Sequence, residues 1–207
     1  RTIRTHSLTT NGNQSVNYAP VSKYFRISLT DVCNLSCYFC HNEGQLKNCN
    51  KQNLTADDIK WICQIAKMNG YTKFKLTGGE PTLHPEIISI VRNIIDLNIE
   101  DLSIITNGIK LYELAEPLKQ AGLPRLNVSL YTLSPLKFIA NNGGSEAKLS
   151  KVIRGIDRAI EIGFTDIKLN YVWDNYNNLV DFLEVCSFAS ERNLTVVLLP
   201  VLRNDES

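Results

Sequence analysis

Three cysteines within eight residues, Cys33, Cys37 and Cys40, carry the densest chemistry in this 207-residue sequence. Thiols so closely spaced bind metal. A structural zinc site normally takes four protein ligands, and the two-cluster ferredoxin run uses four cysteines at another spacing. The segment Cys33-Asn-Leu-Ser-Cys37-Tyr-Phe-Cys40 instead suits a [4Fe–4S] cluster that keeps one iron free of protein ligands. An open iron can bind a small molecule. Val32, Leu35, Tyr38 and Phe39 give the thiols apolar cover, which a strongly reducing cluster needs against water and oxygen. An alternative from another class is a non-catalytic module that uses the three thiols for zinc; iron and sulfide analysis separates the two.

A second group is Gly78-Gly79-Glu80-Pro81. Its glycines permit close backbone approach to a ligand, and its carboxylate can meet an ammonium. Taken alone, Gly-Gly before Pro is an ordinary turn. Of the three histidines, His41 reads as a solvated loop residue beside the last cysteine, His84 as shaping the start of a helix, and His6 as uninformative. Asn141-Asn-Gly-Gly144 reads as a mobile loop able to cover an open face, or as a surface turn. Cys49, Cys63 and Cys186 are isolated, and the latter two fall in helical stretches as packed thiols.

These groups need elements to position them. Strand-like runs at Tyr24–Leu29, Lys73–Thr77, Leu102–Thr106, Arg125–Leu130, Ile167–Val172 and Thr195–Leu199 alternate with helical stretches. Thr55 caps a helix with Ile59, Ile62 and Ala66 on one face and Gly70 past its end, and Pro85 suits a first turn. Further helices fit Tyr112–Ala121, Ser150–Ile162 and Leu179–Arg192. Six βα-type strands imply a parallel sheet with right-handed crossovers. Alternation within the strands sets Tyr24, Arg26, Lys73, Lys75, Arg125, Asn127, Ser129, Lys168 and Asn170 opposite an apolar face. Doubly covered parallel strands read as continuous apolar runs, and these do not. An α/β fold follows, a partial (βα)6 TIM-like barrel with parallel strands and an open, polar, basic lumen, some of whose charges reach solvent at strand ends.

Composition supports one core. An apolar share of 43% suffices to bury one, and a net charge of +1 argues against a nucleic-acid polymer or an anionic membrane as partner. No apolar run approaches the roughly 20 residues of a membrane span. Reduced thiols in a cytoplasmic setting fit a chain that does not depend on disulfides. Residues 1–20 read as a flexible arm and 21–207 as the core domain. With Arg rather than Met first, a longer parent polypeptide remains open.

The cysteine spacing resembles the signature of the radical S-adenosylmethionine (SAM) superfamily, and the glycine pair one βα unit later resembles its SAM amino-group motif. That resemblance implies a [4Fe–4S] cluster on Cys33, Cys37 and Cys40, reductive cleavage of SAM to a 5′-deoxyadenosyl radical, hydrogen abstraction from substrate, and an electron donor such as flavodoxin or ferredoxin. It further implies SAM contacts at Tyr38, Phe39, Gly78, Gly79, Glu80, Pro81, Thr106, Asn107, Ser129 and Asn170. From Arg26 to Leu199 the chain looks like the GTP cyclases of molybdenum-cofactor biosynthesis, which implies a small anionic, nucleotide or phosphorylated substrate held by Arg26, Lys73, Lys75 and Lys168. Radical modification of a peptide, sugar or other small molecule is the alternative. Two departures bear on substrate: the sixth strand, Thr195-Val-Val-Leu-Leu-Pro200, has no charge, and Tyr131 stands where that family has Asp. That family carries a second three-cysteine cluster in a C-terminal extension, and none can be assigned within these residues: either a C-terminal segment lies beyond them or this is a relative with a different substrate.

Overall fold

The computed structural model describes residues 23–40, 53–174 and 178–201. The arm expected at 1–20, together with His6, His41 and Cys49, lies outside them.

Strands β1 (Lys23–Ser28), β2 (Tyr71–Thr77), β3 (Asp101–Thr106), β4 (Arg125–Ser129), β5 (Asp166–Trp173) and β6 (Thr195–Pro200) form one sheet in that order, every neighbouring pair parallel. Helices α1 (Ala56–Met68), α2 (Ile87–Ile95), α3 (Leu111–Gln120), α4 (Pro135–Asn142), α5 (Glu146–Glu161) and α6 (Leu179–Glu191) cross between them, with a short 3-10 turn at Pro81–Leu83. Side chains of both β1 and β6, the two edge strands, meet in one cavity, so the sheet is curled into a partial barrel.

The alternation sorts as the sequence predicts. Phe74, Leu76, Leu102, Ile104, Leu126, Val128 and Leu169 are fully buried on the outer face. Each contributes about 1.5–3 kcal/mol by leaving water, so the core lies between sheet and helices. The inner face is polar yet only partly basic. At its base Arg125 pairs with Asp101 and, at 3.8 Å, with Asp166, while Lys73 lies 3.9 Å from Glu100. Acids at the strand starts thus neutralise part of the positive charge.

Local signals account for the helix ends. Thr55 and Asp58 form a reciprocal capping box at the start of α1. The helix expected at Ser150–Ile162 starts earlier, at Glu146, because the Ser145 hydroxyl accepts from the Lys148 amide. α4 was not anticipated, although Ser134-Pro135 supplies a cap and a first-turn proline. Pro85 precedes α2 rather than opening it, and Pro81 opens the 3-10 turn.

Candidate active site

A cavity of about 560 Å³ opens at the C-terminal ends of the strands, and Cys33, Cys37 and Cys40 line it. All three are free thiols. The loop bearing them leaves β1 and is fastened from two directions.

The first fastening comes from β2 and β3. The Gly79 amide donates to the Thr30 carbonyl (2.7 Å) and the Glu80 amide to that of Val32 (2.8 Å). A Cβ on Gly78 would meet the Thr30 oxygen at 2.5 Å, and one on Gly79 the Val32 oxygen at 2.5 Å; Gly78 also has φ +145°. The close approach these glycines permit is therefore to the chain's own backbone, leaving Gly78 and Gly79 as part of the cavity wall. Glu80, 1% exposed, accepts from the Thr82 amide (3.0 Å) and hydroxyl (2.5 Å), the Thr106 hydroxyl (2.7 Å) and the Asn107 amide (2.7 Å). Burial pushes its carboxyl above the ordinary value against those four donors. Three of the bonds end on Oε1 and one on Oε2, so Oε2 retains acceptor capacity. The Thr106 hydroxyl is committed to Glu80 and to the Gly108 amide (3.0 Å). Asn107 reaches the cysteine loop, its Nδ2 donating to Asn34 Oδ1 (2.7 Å) and lying 4.0 Å from Cys33 Sγ.

The second fastening is α4. The Asn142 and Asn141 carbonyls accept from the amides of Ser36 (2.8 Å) and Tyr38 (3.0 Å), and Asn142 Nδ2 donates to Cys37 Sγ (3.1 Å). Lys148 of α5 donates to the Asn34 carbonyl (2.8 Å). The run read as a loop or surface turn is thus a helix end docked on the thiols, its Gly143 capping α4 at φ +60°.

Above the loop, Phe39 stacks edge-on against Tyr38 (5.0 Å) and Tyr131 (4.6 Å). Tyr38 is exposed and its hydroxyl donates to Asp174 (3.2 Å). Tyr131 lines the cavity and bonds Ser129; burial pushes its phenol up. Of the residues expected to hold SAM, Phe39, Gly78, Gly79, Glu80, Thr106, Asn107 and Ser129 line the cavity. Tyr38, Pro81 and Asn170 do not, although Asn170 sits beside Ser129 in register. Of the expected substrate cations, Arg26 lines it; Lys73, Lys75 and Lys168 occupy the same inner face outside its lining, the first two over the Tyr24 ring at 5.7 and 5.8 Å. Val172, Leu199 and Pro200 make the β5–β6 side apolar, in keeping with the uncharged sixth strand.

The donor set fits an iron–sulfur cluster. Burial first, and then the charge of the neighbouring thiols, pushes the Cys33 thiol up and that of Cys37 to about 11. The three cysteines share one electrostatic neighbourhood, yet among the described residues no three His, Cys, Asp or Glu converge as a single metal ion requires. A lone zinc would draw its sulfurs to about 2.3 Å from one point. A cluster spreads its thiolates and accepts N–H donors at the sulfurs, as Asn142 and Asn107 provide. His84 stands apart, with its ring between the Leu54 carbonyl (3.0 Å) and the Glu86 amide (3.2 Å). Among the described residues no helix is long and apolar enough to cross a membrane.

Comparison with known proteins agrees with this geometry. The radical SAM superfamily profile matches residues 27–189. Relatives named probable GTP 3′,8-cyclase include one from Methanocaldococcus jannaschii, 43% identical over 165 residues, covering 78% of this chain and 54% of that protein. Another, from Pyrococcus abyssi, is 42% identical over 176 residues, covering 85% and 56%. The chain spans about half the length of these relatives. Among solved structures, Streptococcus suis SuiB bound to precursor peptide SuiA superposes with a TM-score of 0.72 at 23% identity, over 87% of this chain and 40% of that one. Native anSMEcpe with bound AdoMet superposes at 0.69 with 16% identity, over 86% and 51%. These two likenesses establish the partial-barrel fold. With profile, fold and thiol geometry in agreement, the chain belongs to the radical SAM superfamily, and its cofactors are that family's [4Fe–4S] cluster and SAM.

Proposed function

We propose that this chain is the cofactor-holding core of a radical SAM enzyme acting on an anionic, nucleotide or phosphorylated substrate, akin to the reaction for which its GTP 3′,8-cyclase relatives are named. One observation carries the reading: the three thiols and the Arg26 guanidinium open on the same cavity. Cys33, Cys37 and Cys40 would hold the cluster, which when reduced would supply the one electron that reductive cleavage of SAM requires and so the means of hydrogen abstraction from substrate.

The chain's residues bind and shield. The backbone of Gly78 and Gly79 and the remaining capacity of Glu80 Oε2 offer acceptors to the SAM amino group. Asn107 and Ser129 present polar groups from the ends of β3 and β4, with Thr106 holding Glu80 in place and Pro81 fixing the turn behind it. Phe39 and Tyr131 exclude water beside the thiols, Tyr38 covers the outer rim, and Asn170 supports Ser129. Arg26 grips an anionic group, its only protein hydrogen bond among the described residues being a long one to the Thr77 hydroxyl (3.3 Å). Lys73, Lys75 and Lys168 extend that grip deeper along the inner face. The partner this chemistry requires is a one-electron donor such as flavodoxin or ferredoxin.

The test is anaerobic reconstitution with iron and sulfide, then incubation with SAM, a strong reductant and GTP or related nucleotides. We expect 5′-deoxyadenosine and, by mass spectrometry, a nucleotide product altered by hydrogen transfer. A Cys37→Ala chain that still made 5′-deoxyadenosine would sink the reading. The apolar β5–β6 wall favours a second reading, a substrate without phosphate. Arg26→Ala separates the two: loss of a charge-assisted bond of about 1.5–3 kcal/mol weakens binding of an anion by roughly tenfold or more and leaves a neutral substrate unaffected.

A further inference from the structure

The elements on either side of Cys37 hold it differently from Cys33. On the β3 side, Asn107 lies 4.0 Å from Cys33 Sγ and directs its better hydrogen bond to Asn34. On the α4 side, Asn142 is fully buried, and its Nδ2 donates at 3.1 Å to the sulfur itself. Its amide oxygen, also buried, has no hydrogen-bond partner among the described residues. A buried acceptor left unpaired is disfavoured, so something must fix the amide in this orientation. A thiolate sulfur accepts and cannot donate; only the nitrogen can face it.

The surroundings place Asn142 rather than leave it to find its position. The Ser36 and Tyr38 amides, one on each side of Cys37, bind the last carbonyls of α4. The start of the same helix is tied to α6, where Lys137 meets Asp181 at 2.6 Å and Thr132 donates to the other Asp181 oxygen at 2.6 Å. Past its end, a Cβ on Gly144 would lie 2.3 Å from the Phe138 ring, so only glycine lets the chain turn away while α4 stays against the loop. Helix, cap and side chain together aim one N–H at one sulfur.

We infer that Asn142 is a positioning residue for the cluster, one that holds Cys37 and sets the reduction potential through its N–H to Sγ. The inference rests on Cys33, Cys37 and Cys40 being the cluster ligands. A hydrogen bond to a ligating sulfur withdraws electron density and favours the reduced, more negative cluster, so it raises the potential. Its loss makes the cluster harder to reduce.

The experiment compares the reconstituted parent chain with Asn142→Leu and the isosteric Asn142→Asp, measuring iron and sulfide per chain, far-ultraviolet circular dichroism, and the midpoint potential by electron paramagnetic resonance titration. We expect both variants to shift to more negative potential, the Asp variant further because it adds charge. If a variant keeps the parent's circular dichroism and thermal midpoint but loses iron, the holding role is supported in that variant. Full iron content with unchanged potential in both variants overturns the inference and leaves the cluster assignment intact. A variant that loses iron only together with its fold assigns Asn142 to general stability and likewise overturns it. Absence of any cluster in the parent chain overturns both.

Discussion

Glu80 joins two segments through one buried carboxylate, accepting from residues on the 3-10 turn and at the end of β3. Replacing it with Gln puts an amide nitrogen against donors, and a buried group left unpaired costs about 1–3 kcal/mol, so urea unfolding of Glu80→Gln should show a loss of that size. The pH dependence has a definite sign. Because burial raises the folded value, the folded state binds its proton more tightly than the unfolded chain, whose value is about 4.3. Between those values stability falls as pH rises, and the Gln variant should lack this component of the slope. The residue types at this site were legible in the sequence. Their partners were not: Glu80 was read as facing an ammonium, whereas most of its lone-pair capacity serves the protein's own loop.

Helices α1 and α4 show how local signals become positional ones. Thr55→Ala removes the α1 cap and should cost about 1 kcal/mol in thermal or urea unfolding. Asp58, bound by the Thr55 hydroxyl and amide, has its carboxyl lowered. Its stabilisation is therefore present above the unfolded value and lost as pH falls through the folded one; Asp58→Asn should flatten the acid limb of a stability profile. At α4 the sensitive position is Gly144. A methyl group there enters the ring of Phe138, itself 4% exposed, and moves α4 off the cysteine loop. Gly144→Ala should lower both the thermal midpoint and the iron retained per chain after reconstitution. The Asn-Asn-Gly-Gly run reads as a loop because its residues favour turns, and nothing nearby in sequence says that amides more than 100 residues earlier will bind its carbonyls.

Across the whole molecule the curled sheet turns sequence order into a radial arrangement, with cations and acids meeting at the base and thiols at the mouth. Arg125, on β4, reaches Asp101 on β3 and Asp166 on β5. Asp101→Ala leaves that guanidinium half-paired in a mostly buried place and should destabilise the fold by about 3 kcal/mol in urea titration. By itself the sequence determined the thiol triad, the six strands and their two faces, because metal-ligand spacing and side-chain alternation are properties of a few consecutive residues. Tertiary structure decided how far each cation is neutralised. Lys73 and Arg125 meet acids that only strand pairing brings near, and Arg26 reaches the cavity because β1 is an edge strand of a curled sheet. It likewise decided that Asn142 would face Cys37, since that contact depends on α4, its cap and α6 packing at once, and no short stretch of chain encodes such a convergence.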